Sequence, residues 1–388
     1  MVFKRSVTRS HQVKIVVVNK QKLARLLAAV AGILSFCITF TDAAVQYTVT
    51  DLGNLGGSGS YGTGVNSSGI VAGTSPLAGN SAQHAFIFSG GTMHDIGTLG
   101  GALSFAFGIN NAGQVAGYSH TTGDTASHAF IYDAGVMHDL GTLGGTTSFG
   151  LGINSSGQVV GSSYLANNVG GDAFIYTNGS MISIPGPGGA YSDGYAINDS
   201  GHVAGDFYVN GASHGFLYDG SQVHDLGDLG YGGAEARGIN ASDQITGVAD
   251  VAGFNAHAFL YSGGTMRDLG ALYGTGSYGQ AINDAGQVVG WSDNSTQDGT
   301  VAFLYSGGAM RDLNTLIPSN SGWILQDALA INNLGQITGY GQSPSGADDA
   351  YLLTPVPEPS VGSVMLTAGF AVIFSRRVPR RILRADVI

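Results

Sequence analysis

The chain has 388 residues, of which 64 are glycine and only 11% are charged, a composition that disfavours helices and suits many short strands joined by tight turns. Residues 45–355 hold three basic side chains, Arg237, Arg267 and Arg311, against 23 Asp and Glu, so the body carries about −20 although the whole chain carries −11. Such a surface repels phosphate backbones and excludes nucleic acid as a partner, and with Cys37 as the only cysteine no disulfide can hold the body.

In chain order, residues 1–44 read as a secretory signal. Lys4, Arg5, Arg9, Lys14, Lys20, Lys22 and Arg25 precede the apolar run "LLAAVAGILSFCITF", and small residues follow in "TDAAV". Signal peptidase is expected to cut after Ala43 or Ala44. The alternative is an uncleaved N-terminal anchor, because the basic region is long. Phe36 before Cys37 argues against lipoprotein processing.

From Val45 to Pro355 one unit recurs. Its mark is "GINNAGQVAG" at 108–117 and "GINSSGQVVG" at 152–161, and its anchor asparagines are Asn66, Asn110, Asn154, Asn198, Asn240, Asn283 and Asn332. The intervals of 44, 44, 44, 42, 43 and 49 residues fall in the range of solenoids, propellers and arrays. Each unit reads as two hairpins: "FGIN" and "QVAGYS" around "NAG", then "HAFIY" and "VMHDLG" around "DAG". The Asn side chain caps the first turn, and Gly113 or Gly157 takes the left-handed conformation there, with Asp243 in the same slot of the fifth unit.

Four strands per 44 residues fit a propeller blade better than the shorter rung of a β-helix. The last unit lacks its "MHDLG" strand, and the body opens with an orphan copy of it, "VQYTVTDLGNLGG". The expected fold is therefore an all-β, seven-bladed β-propeller whose last blade is closed by the N-terminal strand beside Tyr351 to Leu353, leaving no open edge.

The tail, residues 356–388, holds an apolar stretch from Val361 to Phe374, short for a transmembrane helix, followed by Arg376, Arg377, Arg380, Arg381 and Arg384. With Pro357, Glu358 and Pro359 in front, Val356 to Arg381 resembles the PEP-CTERM sorting signal of Gram-negative bacteria. The resemblance implies transient inner-membrane anchoring, removal of the tail by an exosortase-type protease, and display on the outer surface or in the extracellular matrix. The alternative is a plain weak C-terminal anchor. The body in turn resembles the HAF-repeat family of predicted extracellular proteins: the triplet stands at His84 to Phe86, His128 to Phe130 and His257 to Phe259, with variants at Asp172, His214, Val301 and Asp349. That family implies a fold and a location, and no established activity.

Chemistry is sparse. Seven equal copies of the Asn motif read as scaffold, and its six-residue turns lack the alternating oxygen ligands and late glutamate of a calcium loop. No cofactor or metal is predicted, and calcium stays open as an alternative. His94, His138 and His224 precede Asp95, Asp139 and Asp225, with Arg267 and Arg311 in the same slot elsewhere, which reads as an exposed charge pair on the outermost strand. His84, His128, His214 and His257 are expected to hydrogen-bond a neighbouring turn. No nucleophile elbow or phosphate loop occurs; the chance G-x-G-x-x-G matches lie in hairpin turns with no helix after them.

One position varies from unit to unit. Five residues before each anchor stand Tyr61, Phe105, Phe149, Asp193, Glu235, Tyr278 and Asp327, expected at the mouth of a central channel. Aromatics and carboxylates there suit sugar rings and hydroxyls; the plainer reading has the aromatics packing between blades and the acids solvated. The chain therefore reads as a non-enzymatic surface or matrix protein that binds polysaccharide or another protein. The alternative is a secreted carbohydrate lyase or hydrolase using Asp193 and Glu235, which requires paired carboxylates roughly 5 to 10 Å apart.

Overall fold

The computed structural model describes residues 46–253, 255–294 and 299–357. The signal segment with Ala43 and Ala44, and the tail from Glu358 onward with Pro359, Arg376 and Arg377, lie outside the described residues; Pro357 is exposed at their edge. Among the described residues no helix is long and apolar enough to cross a membrane.

The regular structure is strand. After β1 (Tyr47–Asp51) come four-stranded antiparallel meanders: β2 (Tyr61–Val65), β3 (Val71–Pro76), β4 (Gln83–Ser89) and β5 (Thr92–Asp95); then β6 (Gly100–Ile109), β7 (Val115–Thr121), β8 (Ser127–Asp133) and β9 (Val136–Asp139). The third comprises β10 (Gly144–Ile153), β11 (Val159–Leu165), β12 (Gly171–Thr177) and β13 (Ser180–Ile184); the fourth β14 (Tyr191–Ile197), β15 (Val203–Val209), β16 (Ala212–Tyr218) and β17 (Val223–Asp225). The fifth comprises β18 (Ala234–Ile239), β19 (Ile245–Val251), β20 (Asn255–Ser262) and β21 (Thr265–Asp268); the sixth β22 (Ser277–Ile282), β23 (Val288–Asp293), β24 (Thr300–Ser306) and β25 (Ala309–Asp312). The last three strands, β26 (Ile324–Ile331), β27 (Ile337–Gln342) and β28 (Asp348–Pro355), share a sheet with β1. In it Tyr47 lies opposite Pro355, and Asp51 opposite Tyr351. Between the first three meanders the backbone ladder continues only through single parallel bridges, Gln83 with Leu103 and Ser127 with Thr147.

The turns follow local chemistry. At the first hairpin Asn110 N–H bonds Gln114 O at 3.0 Å, its Oδ1 accepts from Ala112 and Gln114 N–H, and Gly113 sits at φ 84°. Asp243, in that slot of the fifth unit, takes φ 55°, a conformation that few residues besides glycine adopt at low cost. The second hairpin of the second unit turns on two residues of positive φ, Ala134 at 47° and Gly135 at 88°, whose twist matches the strands.

Packing explains the HAF triplet one residue at a time. The phenylalanines Phe86, Phe130, Phe174, Phe216, Phe259 and Phe303 are fully buried, and Tyr351 replaces them in the last unit, its hydroxyl donating to Asp327 O at 2.8 Å. Phe130 lies over the second strand so closely that a Cβ on Gly117 would stand 2.7 Å from its ring and 1.9 Å from Phe105 O, hence glycine in "QVAG". The alanine's N–H donates to a serine of the next unit: Ala85 to Ser104 Oγ at 2.9 Å, Ala129 to Ser148, Ala173 to Ser192, Ala258 to Ser277 and Ala350 to Ser60. The apolar clusters span adjacent units as well, as where Phe86 and Val71 meet Ala350 and Leu352, so burial and hydrogen bonding join each meander to the next.

The histidine pairs with an aspartate eleven residues on. His84 Nδ1 lies 2.9 Å from Asp95 carboxylate oxygens, and the same contact joins His128 to Asp139, His214 to Asp225 and His257 to Asp268. Asp95 Oδ1 also accepts from Gly97 N–H, so the histidine braces the turn through the carboxylate. This corrects the sequence expectation that His94, His138 and His224 form the charge pairs. Neighbours in a strand point to opposite faces, whereas His84 and Asp95 share a face, diagonal across the β4–β5 ladder in which Phe86 opposes Asp95. His224 instead reaches Asp219. Where Ser183 replaces the aspartate, Asp172 replaces the histidine, and Ser183 Oγ donates to it at 2.5 Å.

Candidate functional site

The anchor asparagines form a cycle. Each Nδ2 donates to the main-chain carbonyl of the next: Asn66 to Asn110 at 3.2 Å, Asn110 to Asn154, Asn154 to Asn198, Asn198 to Asn240, Asn240 to Asn283, Asn283 to Asn332, and Asn332 back to Asn66 at 2.8 Å. Their Oδ1 atoms are taken by turn N–H groups, as in Asn283 with Ala285 and Gln287, which leaves little for a cation to bind. A cavity of about 230 Å³ sits at this ring and another of about 620 Å³ above it; both are lined by Val65, Ile109, Ile153, Ile197, Ile239 and Ile282 of the preceding position.

The larger cavity is lined by a set the sequence reading missed. Each innermost strand carries a β-bulge three residues before its asparagine, where the register slips, as between Gly62 and Gly64 or Gly194 and Ala196. The bulged residues, Thr63, Phe107, Leu151, Tyr195, Arg237, Gln280 and Leu329, all line the cavity. A regular residue on this strand faces a neighbouring meander, and a bulge re-aims one side chain off the sheet face. The legible signal was the small residue after each bulge, Gly64, Gly108, Gly152, Ala196, Gly238, Ala281 and Ala330. Strands come too close there for more: a Cβ on Gly108 would be 3.3 Å from Ile153 N.

Of the expected ring, Tyr61 and Phe105 line the same cavity. Phe149 packs edge-on to Tyr118 at 4.8 Å, and Tyr278 stacks on Trp291 at 5.3 Å. Glu235 is held by Arg237, its Oε2 3.1 Å from Nε and 2.5 Å from Nη2, and accepts from Tyr278 Oη at 3.3 Å. Glu235 and Tyr278 line a separate cleft of about 440 Å³ with Tyr231 and Asp250.

Charge concentrates on one side. The Arg237 guanidinium lies 4.1 Å over the Tyr195 ring. Asp193 opposes Asp206 across β14 and β15; burial pushes Asp193 up, and pushes Asp206 up to about 6 against a hydrogen bond from Ser213, the charges of Asp193 and Glu235 adding to the rise. Asp327 is 5% exposed, and burial raises its carboxyl to about 7; Gln280 Nε2 donates to Oδ2 at 3.3 Å while Oδ1 has no partner. Tyr61, Phe105, Phe107 and Leu151 line the cavity from the first three units, and Tyr61 lies 4.8 Å from Tyr340, the cross-strand partner of Asp327. Among the described residues no group of three or more His, Cys, Asp and Glu is placed to hold a metal.

Repeated four-stranded meanders set around one central cavity are the architecture of a β-propeller, and the chain is an all-β protein of that class. No protein-family model matches it, and no curated protein is significantly similar in sequence. Solved structures are similar in fold. A puromycin hydrolase superposes with a TM-score of 0.53 at 11% identity over 76% of this chain and 52% of its own. TolB from Acinetobacter baumannii gives 0.43 at 12% over 63% of each chain, and the β-propeller domain of the trilobed protease from Pyrococcus furiosus 0.37 at 13% over 69% of this chain and 98% of its own. The chain thus spans about half the length of the first and under two thirds of the second; at these identities the likeness concerns the fold alone.

Proposed function

We propose that the chain is a seven-bladed propeller, closed by its N-terminal strand, that is exported and acts without catalysis as a binding protein of the extracellular polysaccharide matrix. The cyclic asparagine ladder and the pairing of β1 with β28 support the blade count and the closure. The signal-like N-terminus, the PEP-CTERM-like tail with its exosortase-type processing and the HAF-type triplets support the location. The observation that carries the binding role is the 620 Å³ cavity, within the ~300–1,000 Å³ of small-molecule sites, lined by the aromatic Tyr61, Phe105, Phe107 and Tyr195 together with the hydrogen-bonding Thr63, Arg237 and Gln280. The test is binding of the purified full chain to a panel of bacterial polysaccharides, with and without calcium, beside a variant carrying Tyr61→Ala and Phe105→Ala. Binding that the variant loses supports the reading; absence of binding to every polysaccharide sinks it.

A second reading, a carbohydrate lyase or hydrolase, draws on one observation: Asp193 and Asp206, both raised, stand beside the ion-paired Glu235. Release of reducing ends from any bound polysaccharide, abolished by Asp193→Asn, would favour it; bound polymer left at full length decides for the binding protein.

A further inference from the structure

We infer that the central cavity receives the end of an uncharged oligosaccharide chain, so that the protein recognises glycan termini rather than gripping a polymer along its length. This rests on the polysaccharide-binding reading and specifies its site and ligand.

The shape argues for an end. The cavity meets the smaller one at the ring of Val65, Ile109, Ile153, Ile197, Ile239 and Ile282, and beyond that ring lies the asparagine cycle, whose Nδ2 groups already donate to one another's main-chain carbonyls. A chain entering from the Tyr61 and Phe105 side therefore meets a ring of aliphatic side chains that offers its hydroxyls no hydrogen bond. About 620 Å³ accommodates a short oligosaccharide and no more.

The lining argues for a sugar without charge. Among the described residues Arg237 is the only charged side chain lining the cavity, and Glu235 neutralises it from outside the cavity wall. An anionic sugar would meet a guanidinium already paired, flanked by Asp193 and Asp206 in a body of net charge about −20. A cationic sugar would meet Arg237 and no lining carboxylate. What the wall offers is a mixed surface. Tyr61, Phe105 and Phe107 present rings from the first two units with Thr63 beside them, and Tyr195, Arg237 and Gln280 follow on the fourth to sixth. A pyranose has the matching mixture, one apolar face of C–H groups and a rim of hydroxyls.

The experiment is isothermal titration of the full chain with uncharged gluco-, galacto- and manno-configured trisaccharides and with a uronate trisaccharide, beside a polysaccharide the protein binds. Two variants accompany it: Leu151→Trp, which fills the cavity, and Phe107→Ala, which removes a stacking surface without adding bulk. The expected result is saturable binding of at least one uncharged trisaccharide, weakened tenfold or more in whichever variants fold, with uronate binding weaker. Shortening the polysaccharide at constant mass should raise its binding capacity in proportion to the number of ends. Polymer bound without any trisaccharide, trisaccharide affinity unchanged in both variants, or tighter binding of the uronate would each overturn the inference and leave the matrix-binding reading standing. Failure of every glycan, short or long, overturns both.

Discussion

Replacing Asp327 by Asn should make the protein more stable at pH 8 and nearly unchanged at pH 4. The carboxyl is 5% exposed, its Oδ1 has no hydrogen-bond partner, and its pKa rises from 3.8 to about 7 because burial disfavours the charged form. The folded state therefore holds this proton more tightly than the unfolded chain. Below pH 3.8 the group is neutral in both states and costs nothing. Between pH 4 and 7 the unfolded chain ionises first, and stability falls as pH rises; above 7 the loss is complete. Three pH units correspond to about 4 kcal/mol, and relaxation around the charge lowers the measurable part to roughly 2–3 kcal/mol, or about 5 °C in Tm for a domain of this size. Asparagine keeps the oxygen that Gln280 Nε2 approaches at 3.3 Å and carries no charge at any pH. Urea and thermal denaturation of both proteins at pH 4, 6 and 8 give the difference curve. Asp206 is raised in the same direction but is common to both proteins, so it cancels. A variant equally destabilised at all three pH values, or a difference curve flat with pH, would refute the reasoning.

Other expectations follow from single residues. Asn154→Ala removes the bond to Asn198 O and the acceptor for Ser156 and Gln158 N–H at a buried site, and should cost about 2–4 kcal/mol in urea titration; a cost below about 0.5 would mean that the ring is not a clasp. Tyr47 is 1% exposed and lies in β1, so Tyr47→Ala should cost about 3–5 kcal/mol if the N-terminal strand closes the last sheet, and little if that strand frays. His128→Ala breaks a partly exposed contact with Asp139 and should cost at most about 1 kcal/mol, without any change on adding chelator; a larger, chelator-sensitive loss would reveal a metal at the pair.

Much of the architecture was legible because its chemistry is local. An asparagine followed three residues later by glycine, repeated at intervals of 42 to 49, specifies the same turn wherever it occurs, and Asp243 could be read as its substitute because few residues tolerate φ 55°. The orphan "TVTDLG" pointed to a partner strand at the other end of the chain, where Asp51 does oppose Tyr351.

The site was less legible for the opposite reason. Sequence spacing singled out Tyr61, Phe105, Phe149, Asp193, Glu235, Tyr278 and Asp327, yet the cavity belongs chiefly to residues two places further on. Whether a strand residue faces a neighbour or the axis depends on a register slip between two strands, of which the only sequence trace is the Gly or Ala that follows it. The histidine partners show the same division: adjacency in the chain suggested His94 with Asp95, and the fold pairs His84 with Asp95 across a hairpin. What the sequence determined by itself was each unit, its turns and their number, since turn conformation is settled within five or six residues. Only the tertiary structure decided which side chains reach the axis, how deeply Asp327 is buried and which acid answers which histidine, because those depend on where seven separate strands stop against one another.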